Sequence, residues 1–208
     1  MSRPVTEIVV LSFHPDINPK ETITSLENIL AEQEGFRSLR WGHWDEDETK
    51  VQLTINWDDI SYHRRFEQSG ADFEAGDLIL RPVITSPPAI FHVYLDQAAL
   101  NKILDTPVVE LATFYSVPAD FATRAETFFD LLALNGCSGI VHADVVEEIA
   151  LDDEKEESKA YFAALAWSSI EEHIEVVQQE IVQQHTGLII GEGRGQKIEM
   201  HHVRFVRD

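Results

Sequence analysis

The sequence predicts an α+β fold made of two tandem ferredoxin-like repeats, each with the element order β-α-β-β-α-β. The segment Trp57–His63 recurs as Trp167–His173, with Trp, Ile and His at matched positions and an offset of 110 residues. The same offset aligns Ala89–Leu95 with Glu199–Phe205, which share His and Val. Two matches in the same order and at one offset indicate an internal duplication.

A third match shows where the two copies differ in length. Val5–Ile8 aligns with Val108–Leu111 at an offset of 103 residues, so the second copy has gained about seven residues further along the chain. The gain falls in the acidic stretch Glu147–Glu157, which predicts a lengthened and solvated hairpin tip. We therefore expect a first repeat, a linker and a second repeat, at 1–96, 97–107 and 108–208.

Each element of the first repeat follows from a local pattern. Glu7–Phe13 alternates and is rich in β-branched residues, which predicts a strand. Asn18 is a suitable N-cap, Pro19 suits the first helical position and Gly35 suits a C-terminal stop, so a helix is expected between them. A hairpin should follow, with strands at Phe36–Trp44 and Val51–Trp57, and then a second helix from about Asp58 or Asp59. An irregular stretch at 78–88 should lead to the last strand, Ala89–Leu95.

The second repeat follows the same plan. We expect its strands at 108–117, 139–149, 157–167 and 197–206 and its helices at 120–134 and 169–185. Because both helices of such a repeat cover one face of the sheet, the other face is left apolar and uncovered. Two copies most simply bury these faces against each other, sheet to sheet.

The charge balance excludes several classes of function. The chain has 208 residues with 16 Lys and Arg against 37 Asp and Glu, a formal net charge of −21. Such a surface repels phosphate backbones and anionic lipids, so we expect neither nucleic acid nor membrane as a partner. Cys137 is the single cysteine, which excludes an intrachain disulfide. No apolar stretch is long enough for a signal peptide or a spanning helix, so a soluble cytoplasmic protein is expected.

The motif carries a resemblance to a known family. A ferredoxin-like repeat whose third strand ends in Trp (Trp57, Trp167) and continues into a helix with His six positions later (His63, His173) resembles the antibiotic biosynthesis monooxygenase-like (ABM) family of the dimeric α/β-barrel superfamily. The resemblance covers nearly the whole chain. Members usually form the barrel from two chains, which implies an intrachain barrel here, as a monomeric pseudo-dimer or a homodimer.

The resemblance also implies a range of activities. Members oxygenate polycyclic phenols without a cofactor, degrade haem, cyclise polyketides, or isomerise and dehalogenate small aromatics, so the family fixes architecture better than chemistry. We expect an enzyme of secondary metabolism acting on a small hydrophobic, aromatic or polyketide-like molecule, with cofactor-independent monooxygenation as the leading reaction and no cofactor. The alternatives are a redox-neutral cyclase or isomerase, and a non-catalytic small-molecule-binding or stress-response barrel.

Four histidines are the catalytic candidates. His63 and His173 occupy matched first-turn positions, where the helix N-terminus favours a neutral imidazole that can act as a general base. Strand alternation places His92 and His202 on the face opposite to the apolar residues, which we expect under the helices, so these two should point toward the sheet–sheet interior or its rim. The competing interpretation is that all four are packing and capping features of the repeat.

Five further side chains are candidates for substrate binding. Asn56 and Trp57 would shape a pocket beside His63, the preferred base, and Trp167 offers matching aromatic surface. Tyr94 or Arg204 could serve as acid or oxyanion partner.

We expect no metal site. His201 and His202 are adjacent, but a strand directs their rings to opposite faces, so a single ion could not take both. Haem binding through His63 or His173 is an alternative that nothing else in the sequence supports.

Overall fold

The computed structural model describes residues 2–150, 158–191 and 197–207. The tip of the predicted acidic hairpin lies outside these residues from position 151 to 157. Within the described part of the chain, no helix is both long enough and apolar enough to cross a bilayer.

The first repeat contains the predicted order of elements with one addition. The irregular stretch predicted from residue 78 begins later, because a third helix follows the second one directly. The elements are β1 (Val5–Ser12), α1 (Pro19–Ala31), β2 (Phe36–Trp44), β3 (Lys50–Trp57), α2 (Ile60–Glu67), α3 (Ala71–Leu80) and β4 (Ala89–Val93).

The second repeat is preceded by a short helix, α4 (Gln97–Leu104), in the segment expected to be a linker. The later strands and helices of the second repeat are shorter than the sequence pattern predicted. The elements are β5 (Val108–Tyr115), α5 (Phe121–Leu134), β6 (Gly139–Asp144), β7 (Ala160–Trp167), α6 (Ile170–Val177), α7 (Glu180–Gln183), a 3₁₀ turn (Thr186–Leu188) and β8 (Lys197–Phe205).

The eight strands of the described residues form one antiparallel sheet in the order β4-β1-β3-β2-β8-β5-β7-β6. The two repeats join edge to edge through β2 and β8, where Gly42 lies opposite Phe205. A Cβ at Gly42 would lie 2.3 Å from the carbonyl oxygen of Arg204, so this join requires glycine. At the other edge, Val93 bridges Val145, and the sheet nearly closes into a barrel. The predicted fold class is confirmed.

One apolar cluster forms the core inside the barrel. Helix α4 packs against β6 and β7 and adds Leu100, Ile103 and Leu104 to that cluster, and Asp96 caps the helix by accepting from Ala98 and Ala99. The strands contribute alternate side chains, among them Ile8, Phe91, Val93, Leu111, Phe162, Val203 and Phe205.

The predicted orientation of the last strand in each repeat was wrong. Phe91 and Val93 face the barrel interior, whereas His92 faces the helices, and Val203 and His202 repeat this arrangement. The reason is that a buried imidazole needs a hydrogen-bond partner, and His63 and His173 supply one under the helices. The helix layer provides hydrogen-bond partners for the two histidines, and the barrel takes the apolar side chains.

Candidate functional site

In the second repeat, a buried carboxyl lies between strand β5 and helix α6. Glu110 accepts a hydrogen bond from Trp167 Nε1 at 2.8 Å, and its Oε2 lies 3.4 Å from His173 Nε2. Trp167 ends β7 and His173 occupies the first turn of α6, which Ser169 caps by accepting from the backbone of Glu172. The Trp-to-His spacing therefore brings both side chains onto one carboxyl.

His202 on β8 extends this arrangement toward solvent. Its Nε2 lies 2.8 Å from His173 Nδ1, and its Nδ1 lies 2.6 Å from Glu46 Oε1. The backbone N–H of His202 also donates to both oxygens of Glu46 at 3.0 Å. Glu46 belongs to the turn between β2 and β3 of the first repeat. We call Glu110, His173, His202 and Glu46 the second row.

The first repeat contains the same arrangement. Glu7 accepts from Trp57 Nε1 at 2.9 Å and lies 3.4 Å from His63 Nε2. His63 Nδ1 lies 2.8 Å from His92 Nε2, and His92 Nδ1 lies 2.7 Å from Glu147 Oε1. Glu147 comes from the second repeat. We call Glu7, His63, His92 and Glu147 the first row, so that each row is completed by a carboxylate of the opposite repeat.

Burial sets the protonation of both rows. It raises the pKa of Glu7 and of Glu110 to about 7, against the opposing effect of the Trp57 and Trp167 indole donors. Burial, together with the neighbouring histidine, lowers the pKa of His63 and of His173 to about 4. At neutral pH these two histidines are therefore uncharged, and the inner carboxyls are close to half protonated.

The hydrogen bonds of the second row imply one order of protons. An ionised Glu46 can only accept, so His202 carries its proton on Nδ1 and, when neutral, accepts at Nε2. His173 must then donate from Nδ1, which leaves its Nε2 as an acceptor facing Glu110 Oε2 at 3.4 Å, the oxygen that also accepts from Trp167. The two histidines thus each donate to the next group outward, and the Glu110–His173 contact is the longest step of the row.

A cavity of about 460 Å³ lies beneath the helices of the second repeat. Glu110 and His173 are its two ionisable groups, Gln183 and Thr186 are also polar, and the rest of the wall is apolar. This volume falls within the usual range for small-molecule sites. Other lining residues include Ala112, Phe128, Phe129, Leu165, Ile189 and Met200.

The corresponding cavity of the first repeat is only about 110 Å³. Helix α3 occupies the space, and its residues Phe73, Gly76 and Leu80 line what remains beside Glu7 and His63. In the second repeat the equivalent chain forms the shorter α7 and a 3₁₀ turn, which leave the larger cavity open. The two rows are alike, and the space beside them differs.

The structure places the sequence-predicted residues in three groups. His63, His92 and Trp57 meet in the first row, and His173, His202 and Trp167 meet around the second. Three others lie apart and line neither cavity beneath the helices: Asn56, Tyr94 and Arg204.

Each of these three residues has partners elsewhere. Asn56 lies on the barrel side of β3, where it accepts from Thr6 Oγ1 at 2.8 Å and donates to Ser38. Tyr94 packs beneath the guanidinium of Arg3 at 3.9 Å, and Arg204 is exposed and paired with Asp45. The expected cluster of Asn56 with Trp57 does not form because adjacent strand residues point to opposite faces.

Sequence reasoning missed all four carboxylates. Glu7 and Glu110 were visible, because they occupy matched positions in the aligned segments Val5–Ile8 and Val108–Leu111, and an ionisable residue matched within an apolar strand is an informative signal. Glu46 and Glu147 carried no such signal, since they lie among other acidic residues of two turns and only the barrel brings them to a histidine.

Glu7, His63 and His92 offer donor atoms within 4.8 Å of one another, so this set could hold a metal ion. The in-line order of the row argues against it. His63 directs Nε2 to Glu7 and Nδ1 to His92, and one ion can bind only one nitrogen of a ring. The donor set therefore fits a hydrogen-bonded row better than a coordination sphere.

A further cavity of about 480 Å³ opens inside the barrel, at the strand ends opposite to α4. His201 lies in its wall, stacked on Trp44 at 3.5 Å, and burial lowers the pKa of this histidine to about 3. The interior histidine of the barrel is therefore His201, in place of the expected His92 and His202.

No protein-family model matches the chain, and no curated protein matches it in sequence. Solved structures do match. An anthrone oxidase-like protein aligns with 99% of this chain and 92% of its own, at a TM-score of 0.67 and 12% identity. A monooxygenase candidate of Fusobacterium nucleatum aligns with 99% of this chain and 94% of its own, at a TM-score of 0.62 and 9% identity.

A monooxygenase candidate of Lactobacillus acidophilus aligns with 98% of this chain and 94% of its own, at a TM-score of 0.59 and 10% identity. The predicted resemblance is confirmed at the level of the fold, which the chain shares with these three structures over nearly its whole length. Identities this low carry no information on substrate.

Proposed function

We propose that this protein is a cofactor-independent monooxygenase of small aromatic or polyketide-like molecules, with its reaction centre in the cavity of the second repeat. The observation that carries the proposal is the cavity itself. An apolar space of about 460 Å³ has one ionisable carboxyl, Glu110, and one neutral imidazole, His173, in its wall. Convergent polar groups in an apolar cavity are typical of a small-molecule active site.

Glu110 is the base in this proposal. A general base works best when its pKa lies near the working pH, and burial raises the pKa of Glu110 to about 7. His173, whose pKa is lowered to about 4, is a much weaker base. It holds the carboxyl in place, as Trp167 does from the other side. The proposal thus transfers the base from the expected His63 to a carboxyl of the other repeat.

The reaction balances without a further cofactor. Glu110 removes a proton from an activated CH₂ of the substrate, and the carbanion gives one electron to O₂. The substrate radical and superoxide then combine into a peroxide, which takes the proton back from Glu110. Removal of the second C–H proton breaks the O–O bond and leaves a ketone, and the released hydroxide takes that proton to form water. One O₂ thus yields one carbonyl oxygen and one water.

The proposal is tested by oxygen uptake with anthrone, a flat tricyclic ketone with an acidic CH₂ and the compound named by one structural neighbour. We expect uptake of one O₂ per anthraquinone formed, with kcat falling at least 100-fold in Glu110→Gln. Glu7→Gln is the matched control and should retain activity, because its cavity is too small for the substrate. Turnover without oxygen uptake would favour the cyclase or isomerase alternative, and equal loss in both variants would contradict the choice of cavity.

A further inference from the structure

The two rows share a feature that a simple packing role does not explain. Each starts at a carboxyl buried within one repeat and ends at a carboxylate on a hairpin of the other. In the second row, the 2.8 Å and 2.6 Å contacts of His202 join His173 to Glu46 without interruption. The side chain of Glu46 is 45% exposed, whereas that of Glu110 is 8% exposed. The row therefore leads from the cavity to solvent.

We propose that the second row is a proton relay, and that Glu46, supplied by the first repeat, is the group through which the reaction centre of the second repeat exchanges protons with solvent. The inference rests on the proposed function, which it deepens. Glu46 touches neither cavity nor substrate, so it acts on the reaction through His202 and His173 as a positioning and relay residue.

The relay moves one proton by three transfers, across contacts of 3.4 Å, 2.8 Å and 2.6 Å, the first of which must shorten before the proton moves. Glu110 gives its proton to His173 Nε2, His173 gives the proton on Nδ1 to His202 Nε2, and His202 gives the proton on Nδ1 to Glu46. No bond other than these N–H and O–H bonds changes. The result is an ionised Glu110 in a mostly apolar cavity and a protonated Glu46 that releases its proton to water. The base thereby loses its proton through the row and needs no water molecule beside the carbanion.

The groups facing Glu110 come from four elements. They are His173 on α6, His202 on β8, Glu46 in the β2–β3 turn and the thiol of Cys137 after α5. The negative charge of Glu46 itself raises the pKa of Glu110. A purely electrostatic role for Glu46 and a relay role therefore predict opposite results when that charge is removed.

The experiment compares Glu46→Gln with Glu147→Gln in the full chain. Glutamine can still accept from the imidazole N–H but cannot take up its proton. We expect Glu46→Gln to lower kcat for anthrone oxidation about 10-fold or more with little change in KM, to raise the solvent deuterium isotope effect, and to recover when imidazole is added as an external proton carrier. Glu147→Gln, the matched change in the row without a large cavity, should leave kcat unchanged.

Two further measurements, histidine NMR and the response of turnover to pH and imidazole, distinguish failure of the relay from failure of the proposed function. Nitrogen-15 NMR of the histidines should show His202 protonated on Nδ1 in the wild type, whatever the substrate. If Glu46→Gln turns over faster below pH 7 and does not respond to imidazole, the role of Glu46 is electrostatic and the relay is overturned. If Glu110→Gln is also fully active, the proposed function fails as well. An Nε2–H form of His202 in the resting protein would overturn the relay alone.

Discussion

The two repeats contain nearly the same row of side chains beside very different spaces. Both join a buried carboxyl, two histidines and a carboxylate from the opposite repeat, with matching distances to within 0.1 Å at the inner contacts. Yet the cavity is about 110 Å³ beside Glu7 and about 460 Å³ beside Glu110. The rows alone therefore do not distinguish the two repeats, and the helices that cover them set the size of the space beside each row.

The outer ends of the rows differ as well. Arg64 donates to Glu147 at 2.8 Å, and the side chain of that carboxylate is 25% exposed. Hydrogen bonds from His92 lower the pKa of Glu147, although burial alone would raise it. In the second repeat, the position that matches Arg64 is Ile174, and the side chain of Glu46 is 45% exposed. Arg64 and His92 therefore hold Glu147, the outer carboxylate of the first row, in its charged form. Glu46, the outer carboxylate of the second row, is open to solvent.

The largest expected difference lies in the inner histidines. His173→Ala should lower kcat for anthrone oxidation about 100-fold, since Glu110 loses the partner that holds it and passes its proton. His63→Ala removes the same contacts beside the small cavity and should change kcat less than threefold. Steady-state oxygen uptake measures kcat for both variants, and circular dichroism confirms that both fold. A larger loss in His63→Ala would reverse our assignment of the two repeats.

The second prediction tests whether the two rows are energetically alike. In each, a glutamate pKa of about 7 in the folded protein replaces the ordinary 4.5, so ionisation costs the folded state up to about 3 kcal/mol. That cost is absent below pH 4.5, grows between pH 4.5 and 7, and is constant above. Glu7→Gln and Glu110→Gln should therefore both be more stable than the wild type at pH 9 and no more stable at pH 4.5.

Urea unfolding at these two pH values measures the effect. Stabilisation of only one variant at pH 9 would show that ionising Glu7 and ionising Glu110 cost the folded protein different amounts. The two repeats would then differ in their rows as well as in their cavities. The lowered pKa of His63 and of His173, about 4 in each case, adds a separate loss of stability as the pH falls from 6.5 toward 4. Both glutamine variants keep these histidines and should show that loss.

The third prediction concerns the mouths of the cavities. Met200 and Ile90 occupy matched positions in β8 and β4, each lines the cavity of its own repeat, and each is nearly half exposed. Met200→Trp should raise KM for anthrone about 10-fold, because the indole narrows the larger cavity without disturbing the core. Ile90→Trp should not alter KM. A response to Ile90→Trp would show that substrate enters the first repeat or the barrel cavity, because Ile90 lines both, and would contradict the choice of the second repeat.

The smallest expected effect comes from exchanging Arg64 and Ile174, the residues at matched positions near the two outer carboxylates. Ile174→Arg should bring a guanidinium to Glu46, as Arg64 does for Glu147, and hold that carboxylate in its charged form. We expect a few-fold decrease in kcat for anthrone oxidation. The reverse change, Arg64→Ile, should leave kcat within experimental error of the wild type. If Ile174→Arg has no effect while Glu46→Gln is impaired, the difference between the outer ends is structural only.

Much of the fold could be predicted from the sequence because its signals are local or repeated. The Trp-to-His spacing predicted a strand followed by a helix at Trp57 and Trp167, and Asn18 with Pro19 predicted the start of α1. The failures concerned which face of a strand meets which layer. His92 and His202 were expected inside the barrel and instead lie under the helices, since alternation shows that two residues point apart without showing which one points inward.

The sequence by itself determined the duplication, the shared β-α-β-β-α-β plan and the matched positions of the histidines and of Glu7 and Glu110, because each of these follows from local periodicity or a fixed offset. Only the tertiary structure decided that Glu46 serves His202 and Glu147 serves His92. These partners are separated by more than 50 residues and meet only when the barrel closes. The sizes of the two cavities are likewise tertiary, because they depend on how α3 and α7 cover the sheet, and packing of that kind leaves no periodic signal in the chain.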